Sequence, residues 1–249
     1  MTQLPKTLED ALEQAKQSTQ AALEDGYKLL QVELVFPEIE LQAQSMARQF
    51  IPAIEESGTR LKVFFPDTGA AALARRDWAD VSFKVSDLGS SRSPIDSRIE
   101  DEDGRFLVVS PSSVEVEQVE KLSRLAGDRA TILLNPRLED VAIVGIGYAA
   151  RQLRERFINK IESCYYLRPL EADAALYRCY PSPWEIWQEV DGEYTLLSQT
   201  ATKPVGDQID QILAGTSPKL GEVTQSSASQ PKKQGFLAGL QSFLNALSR

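Results

Sequence analysis

Four short apolar runs constrain this chain more than any other feature. They are YKLLQVELVF at residues 27–36, LKVFF at 61–65, FLVV within 105–109 and TILL at 131–134. Each is continuous rather than alternating, which is how a strand reads when both faces of its sheet are covered. Helix-period segments separate them: 8–23, 39–57, 70–78 and the stretch from about 112 to 126. Strands that alternate with helices build a parallel sheet with helices on both faces. The expected fold is α/β, doubly wound and mostly parallel (Rossmann-like).

Local punctuation refines this reading. Pro37 stops the first run, Pro52 is expected to kink the helix over 39–57, and Gly58 is expected to cap it. A further strand is expected at 81–85. The serine-, arginine- and acid-rich stretch 89–103 reads as a mobile loop. Ser112 or Ser113 is the expected N-cap of the next helix. From residue 160 the texture changes to aromatic strand-like runs at 162–167, 175–180, 184–190 and 194–198, with Asp191-Gly192 as a hairpin turn. These read as an antiparallel C-terminal extension of the sheet. A short helix is expected at 209–213, a flexible linker after it, and an amphipathic helix in the tail. The organisation is therefore an α/β core over 1–200, a short helix and linker over 201–234, and a tail helix over 235–249.

Composition excludes several kinds of chemistry. The chain has no histidine. That removes histidine-based triads, the commonest metal ligand and the commonest general base near pH 7. Its two cysteines, Cys164 and Cys179, show neither C-x-x-C nor zinc spacing and read as buried free thiols. No metal site and no cofactor is expected. A net charge of −9 repels a phosphate backbone, so nucleic acid is not an expected partner. The start is polar and acidic, and the longest apolar stretch, 141–150, falls far short of the roughly 20 residues that span a bilayer. A cytoplasmic protein, or one on the cytoplasmic side of a membrane, is expected.

Candidate sites fall at strand ends, where open α/β sheets bind ligands. Asp67, Thr68 and Gly69 follow one run, Ser110 another, and Asn135 and Arg137 a third. The same residue types also suit helix caps and turns. Gly145-Ile146-Gly147-Tyr148-Ala149-Ala150 matches G-x-G-x-x-A, which can cradle a pyrophosphate. It lies past mid-chain, with no ribose-binding acid at the required place. Arg151 and Arg154, on one helix face, can grip a phosphate or an acidic partner, or form salt bridges in solvent. In the tail, Phe236, Leu240, Phe243, Leu244 and Leu247 share one helical face behind Lys232 and Lys233. Such a face suits a membrane surface, a partner's groove or the chain's own core.

Longer stretches carry a resemblance. Asn135-Pro136-Arg137-Leu138-Glu139-Asp140, Val144-Gly145-Ile146-Gly147 and Leu153-Arg154-Glu155-Arg156-Phe157 are distinctive together. So are Cys164-Tyr165-Tyr166-Leu167-Arg168-Pro169-Leu170, Tyr180-Pro181-Ser182-Pro183-Trp184 and, upstream, Phe64-Phe65-Pro66-Asp67 with Asp77-Trp78. Over roughly residues 8–197 the chain resembles a domain-of-unknown-function family of cyanobacteria and chloroplasts. That family includes photosystem II assembly factors of the Low PSII Accumulation type, and a related domain is appended to a chloroplast adenylate kinase. The resemblance supplies no catalytic residues, and the kinase phosphate loop is absent from this chain.

The resemblance implies a non-enzymatic, membrane-peripheral assembly factor on the cytoplasmic face of the thylakoid. Its partners would be a photosystem II core subunit or another assembly factor, with the tail helix on the membrane surface. The alternative is a domain or enzyme that binds a nucleotide or another phosphate-containing ligand at the strand ends and the Gly145–Gly147 loop.

Overall fold

Six strands lie side by side and parallel, and three more continue the same sheet in antiparallel fashion. The computed structural model describes residues 3–78, 80–90, 93–139 and 148–215. The strands are β1 (Leu29–Leu34), β2 (Arg60–Phe65), β3 (Lys84–Asp87), β4 (Asp103–Val109), β5 (Ala130–Leu134), β6 (Glu162–Leu170), β7 (Ala174–Cys179), β8 (Trp184–Val190) and β9 (Glu193–Thr200). Their order across the sheet is β3-β2-β4-β5-β1-β6-β7-β8-β9. The helices are α1 (Leu8–Glu24), α2 (Ala43–Phe50), α3 (Thr68–Asp77), α4 (Val116–Ala126), α5 (Tyr148–Arg156) and α6 (Gly206–Leu213).

Alternation along each strand assigns the helices to faces. Val63 and Ile132 point into one cluster with Ala11 and Leu12 of α1, Met46 and Phe50 of α2, and Ala71 and Ala74 of α3. Phe64 and Leu133, one residue further on, point to the opposite face, with Val119 and Leu122 of α4 and Leu153 of α5. The sheet is therefore doubly wound, as the apolar runs imply. A third, smaller cluster joins α6 to the antiparallel part: Ile209 is buried with Tyr166, Leu176, Trp184 and Ile186. Truncating one of the large core rings, such as Phe106, is expected to cost about 3–5 kcal/mol.

The hairpin signal was legible. Asp191 and Gly192 both have positive φ, 55° and 88°, as a tight turn between β8 and β9 requires. Five local expectations are corrected. The helix expected over 39–57 is instead a 3-10 turn (Pro37–Gln42), then α2, then a second 3-10 turn (Ile51–Ala53). Pro52 has no N–H to return to the preceding turn, so the helix gives way rather than kinking. Gly58 does not cap it; with φ 83° it turns the chain between the bridge partners Glu56 and Thr59.

The strand expected at 81–85 forms at Lys84–Asp87, because Phe83 is used as a core ring against Trp78, 5.9 Å between centroids. The described residues of 89–103 are held by specific contacts rather than loose. Ser90 and Ser93 form a β-bridge, Ile95–Arg98 is a 3-10 turn, and Arg98 Nη2 holds Asp87 at 2.7 Å. Neither Ser112 nor Ser113 caps α4. The Ser112 amide and hydroxyl both donate to the Glu115 carboxylate, at 2.8 and 2.6 Å, and the helix starts at Val116.

Candidate functional site

The chain leaves the C-terminal ends of the adjacent strands β1 and β5 toward opposite faces of the sheet. After β1 it enters the Pro37–Gln42 turn and α2. After β5 it proceeds to α5 on the other side. Such a divergence opens a crevice at the sheet edge. Here the crevice is a cleft of about 780 Å³. Glu33, Leu34 and Val35 form part of its lining from β1, with Ser110 after β4, Asn135, Arg137 and Glu139 after β5, and Tyr166 from β6. Lys203 and Val205, between β9 and α6, close it from the far side.

Two residues shape its base. Ser110 and Asn135, ending neighbouring strands, adopt left-handed backbone with φ of 47° and 49°. The Ser110 amide donates to the Leu134 carbonyl at 2.7 Å, and the Asn135 amide to the Val32 carbonyl at 2.7 Å. The Asn135 side chain also accepts from the Leu34 amide. Asparagine tolerates this backbone region because its short polar side chain bonds locally.

Most charges around the cleft are already paired. Arg137 is bonded to Glu40, and Arg154 to Glu139. Glu33 and Lys203 differ. The Glu33 carboxylate accepts a hydrogen bond from Gln31 Nε2 at 2.8 Å, lies beside the Ser163 hydroxyl, and has no ion-pair partner among the described residues. Burial pushes its carboxyl above the ordinary carboxylate range, against the pull of the Lys203 ammonium. Much of the Lys203 side chain is exposed, but its Nζ sits 3.8 Å from the centroid of the Tyr166 ring and 5.3 Å from that of Trp184. Lost hydration lowers its pKa, and Glu33 opposes that shift. Burial pushes the Tyr166 phenol up to about 12, so it remains a hydrogen-bond donor at neutral pH. Opposite charges held apart in a cleft, each with its charged form penalised, mark a candidate binding site.

The other expected positions are divided. Ser110, Asn135 and Arg137 meet at the cleft. Asp67 serves as the N-cap of α3, accepting from the Ala70 amide at 2.9 Å. Thr68 and Gly69 open that helix, and none of the three lines the cleft. Arg151 is exposed on α5, and Arg154 reaches the cleft's border only through Glu139. Gly145 and Gly147 lie outside the described residues, as do Phe236, Leu240, Phe243, Leu244 and Leu247. Sequence reasoning missed Glu33, Tyr166 and Lys203. Glu33 had a signal, a lone carboxylate inside an otherwise apolar strand. Lys203 had none, because it reaches the cleft only after the antiparallel strands fold back.

Both cysteines are buried, and burial pushes the Cys164 thiol up to about 12, so it is not a nucleophile. Among the described residues, no group of three or more acidic or cysteine side chains could hold a metal ion. No described helix is long and apolar enough to cross a membrane. The family described as Domain of unknown function (DUF1995) matches residues 5–211, which takes in every strand of the sheet and the whole lining of the cleft. With that match over most of its length, the chain belongs to the DUF1995 family.

Proposed function

We propose that this chain is a non-enzymatic, membrane-peripheral assembly or interaction factor that acts in photosystem II biogenesis at the thylakoid. The C-terminal edge of its sheet is the working surface. The observation that supports this reading is where the exposed apolar side chains gather. Val114, Leu41 and Val205 are 82%, 76% and 63% exposed; Val205 lines the cleft with Val35, while Leu41 follows the lining residue Glu40 and Val114 lies two residues after the lining residue Ser112. Large apolar side chains exposed together mark an interaction surface, whereas scattered ones do not. The tail, outside the family match, supplies the membrane contact through its apolar face.

Affinity purification of the tagged full-length protein from gently solubilised photosynthetic membranes tests the reading. Enrichment of photosystem II core subunits or assembly factors, lost in a Leu41→Ser, Val114→Ser variant of unchanged melting temperature, is the expected result. Removal of residues 216–249 is expected to lower membrane partitioning without unfolding the core. Recovery of no membrane protein over an untagged control would overturn the reading.

A second reading, a domain that binds a small polar ligand, is favoured by Glu33 and Lys203. Two opposite charges line one cleft of about 780 Å³ without ion-pair contact to each other, which suits a polar molecule that carries both counter-charges. A ligand that binds the native state raises the melting temperature. The same rise in a variant with Glu33 and Lys203 both neutralised would sink this reading.

A further inference from the structure

We infer that the cleft takes a small zwitterion of the amino-acid class, its ammonium group against Glu33 and its acid group against Lys203. The inference rests on the small-ligand reading above and gives that ligand a chemistry. The charge inventory of the cleft supports it. Arg137 and Glu40 satisfy each other, and Glu139 is held by Arg154. What remains among the described lining residues is one carboxylate from the middle of the sheet and one ammonium from the far wall. An incoming amine would regain for Glu33 the ion partner it lacks. An incoming carboxylate would do the same for Lys203, whose Nζ is already positioned over the Tyr166 ring. A ligand with only an acid group would meet Lys203 and leave Glu33 without an ion partner.

The same inventory disfavours a nucleotide or sugar phosphate. The approach to α4, where a phosphate would sit on free amides, is already occupied by the Glu115 carboxylate on the Ser112 amide and hydroxyl. With the Arg137–Glu40 and Arg154–Glu139 pairs set aside, the described lining offers Lys203 against Glu33, so a polyanion gains no net attraction there.

Isothermal titration of the full chain separates these chemistries. The probes are the free α-amino acids, 4-aminobutyrate and 6-aminohexanoate, each beside an alkylamine and an alkanoate of matched length. Inorganic phosphate, ATP and glucose complete the panel. The expected result is saturable binding of at least one zwitterion, with its amine-only and acid-only counterparts at least tenfold weaker. Lys203→Met should abolish the advantage of the zwitterion over its amine, and Glu33→Gln its advantage over its acid. Lys203 is largely exposed, so Lys203→Met keeps the test open if Glu33→Gln fails to fold. Binding of phosphate, ATP or glucose without any zwitterion would overturn the inference and leave the cleft a ligand site. Binding of no probe at all would overturn both. A zwitterion bound equally by the wild type and both variants would place it outside this cleft and also overturn the inference.

Discussion

Asn135 Oδ1 accepts a hydrogen bond from the Leu34 amide at 2.7 Å, so a side chain at the end of β5 completes the backbone of β1 where the two strands part. This bond does two things. It satisfies the amide of the buried Leu34, and it fixes the floor of the cleft beside Glu33. Asn135→Gly keeps the left-handed backbone and loses only the bond, at an expected cost of about 1–3 kcal/mol. Asn135→Ala loses the bond and keeps a Cβ in the left-handed region without the polar group that offsets it, about 1–2 kcal/mol more than the glycine variant. Urea denaturation of the pair checks this. Equal midpoints for the two variants would show that the backbone conformation contributes nothing.

At the opposite end of the sheet, Lys62 is 5% exposed and its Nζ lies 3.1 Å from the fully buried Asp103 carboxylate, which Arg60 also holds at 2.9 Å. Asp103→Ala leaves Lys62 on Glu100 alone and orphans the Glu100 amide, at an expected cost of about 1–3 kcal/mol. Lys62→Met should cost less, because Arg60 and the Glu100 amide still satisfy Asp103. The order of the two unfolding midpoints is the measurement, and a reversed order would contradict this account.

Glu100 gives the protein a defined response to acid. Hydrogen bonds from Lys84, then Arg60 and Lys62, lower its pKa from the ordinary 4.5 to about 2. A depressed carboxylate contributes stability that is present above its unfolded pKa and is lost as pH falls through its folded value. The contribution of Glu100 should therefore be intact above about pH 4.5 and fade toward about pH 2. Glu100→Gln should flatten the stability profile in that window and leave its shape above pH 6 unchanged. Thermal melts across pH 2–7 test this, with salt screening reducing the effect at this exposed site.

Gly89 sits where the chain turns back toward Arg98. Its φ is 80°, and a Cβ there would lie 2.2 Å from the Ser93 carbonyl oxygen. Gly89→Ala must break the Ser90–Ser93 bridge or shift the backbone, at an expected cost of about 1–3 kcal/mol. Hydrogen exchange should show faster amides at Ser90 and Ser93 while those of β4 keep their protection.

The fold was largely legible because it depends on local apolar pattern. YKLLQVELVF, LKVFF, FLVV and TILL each became a buried parallel strand, and Asp191-Gly192 became a hairpin. What failed was local chemistry that tertiary contacts redirect. Ser112 resembles a helix cap but is claimed by Glu115, and 89–103 resembles a loose loop until Arg98 reaches Asp87. The cleft was half legible. Ser110, Asn135 and Arg137 follow strands and could be found by position. The meeting of Glu33 with Lys203 depends on β6 to β9 folding back, and no spacing along the chain encodes it.

The placement of β1 also sets when this protein can first become stable during its synthesis. Although it is the earliest strand to emerge, it pairs with β5 on one side and β6 on the other. Val32 therefore waits for both Leu134 and Tyr165. Helix α1 has the same dependence, since Ser18 and Thr19 rest on Cys179 and Cys164. A ribosome-bound fragment that stops before β6 carries two open strand edges and an uncovered apolar helix. Until its aromatic extension has been made, the nascent chain keeps apolar surface and a strand edge exposed.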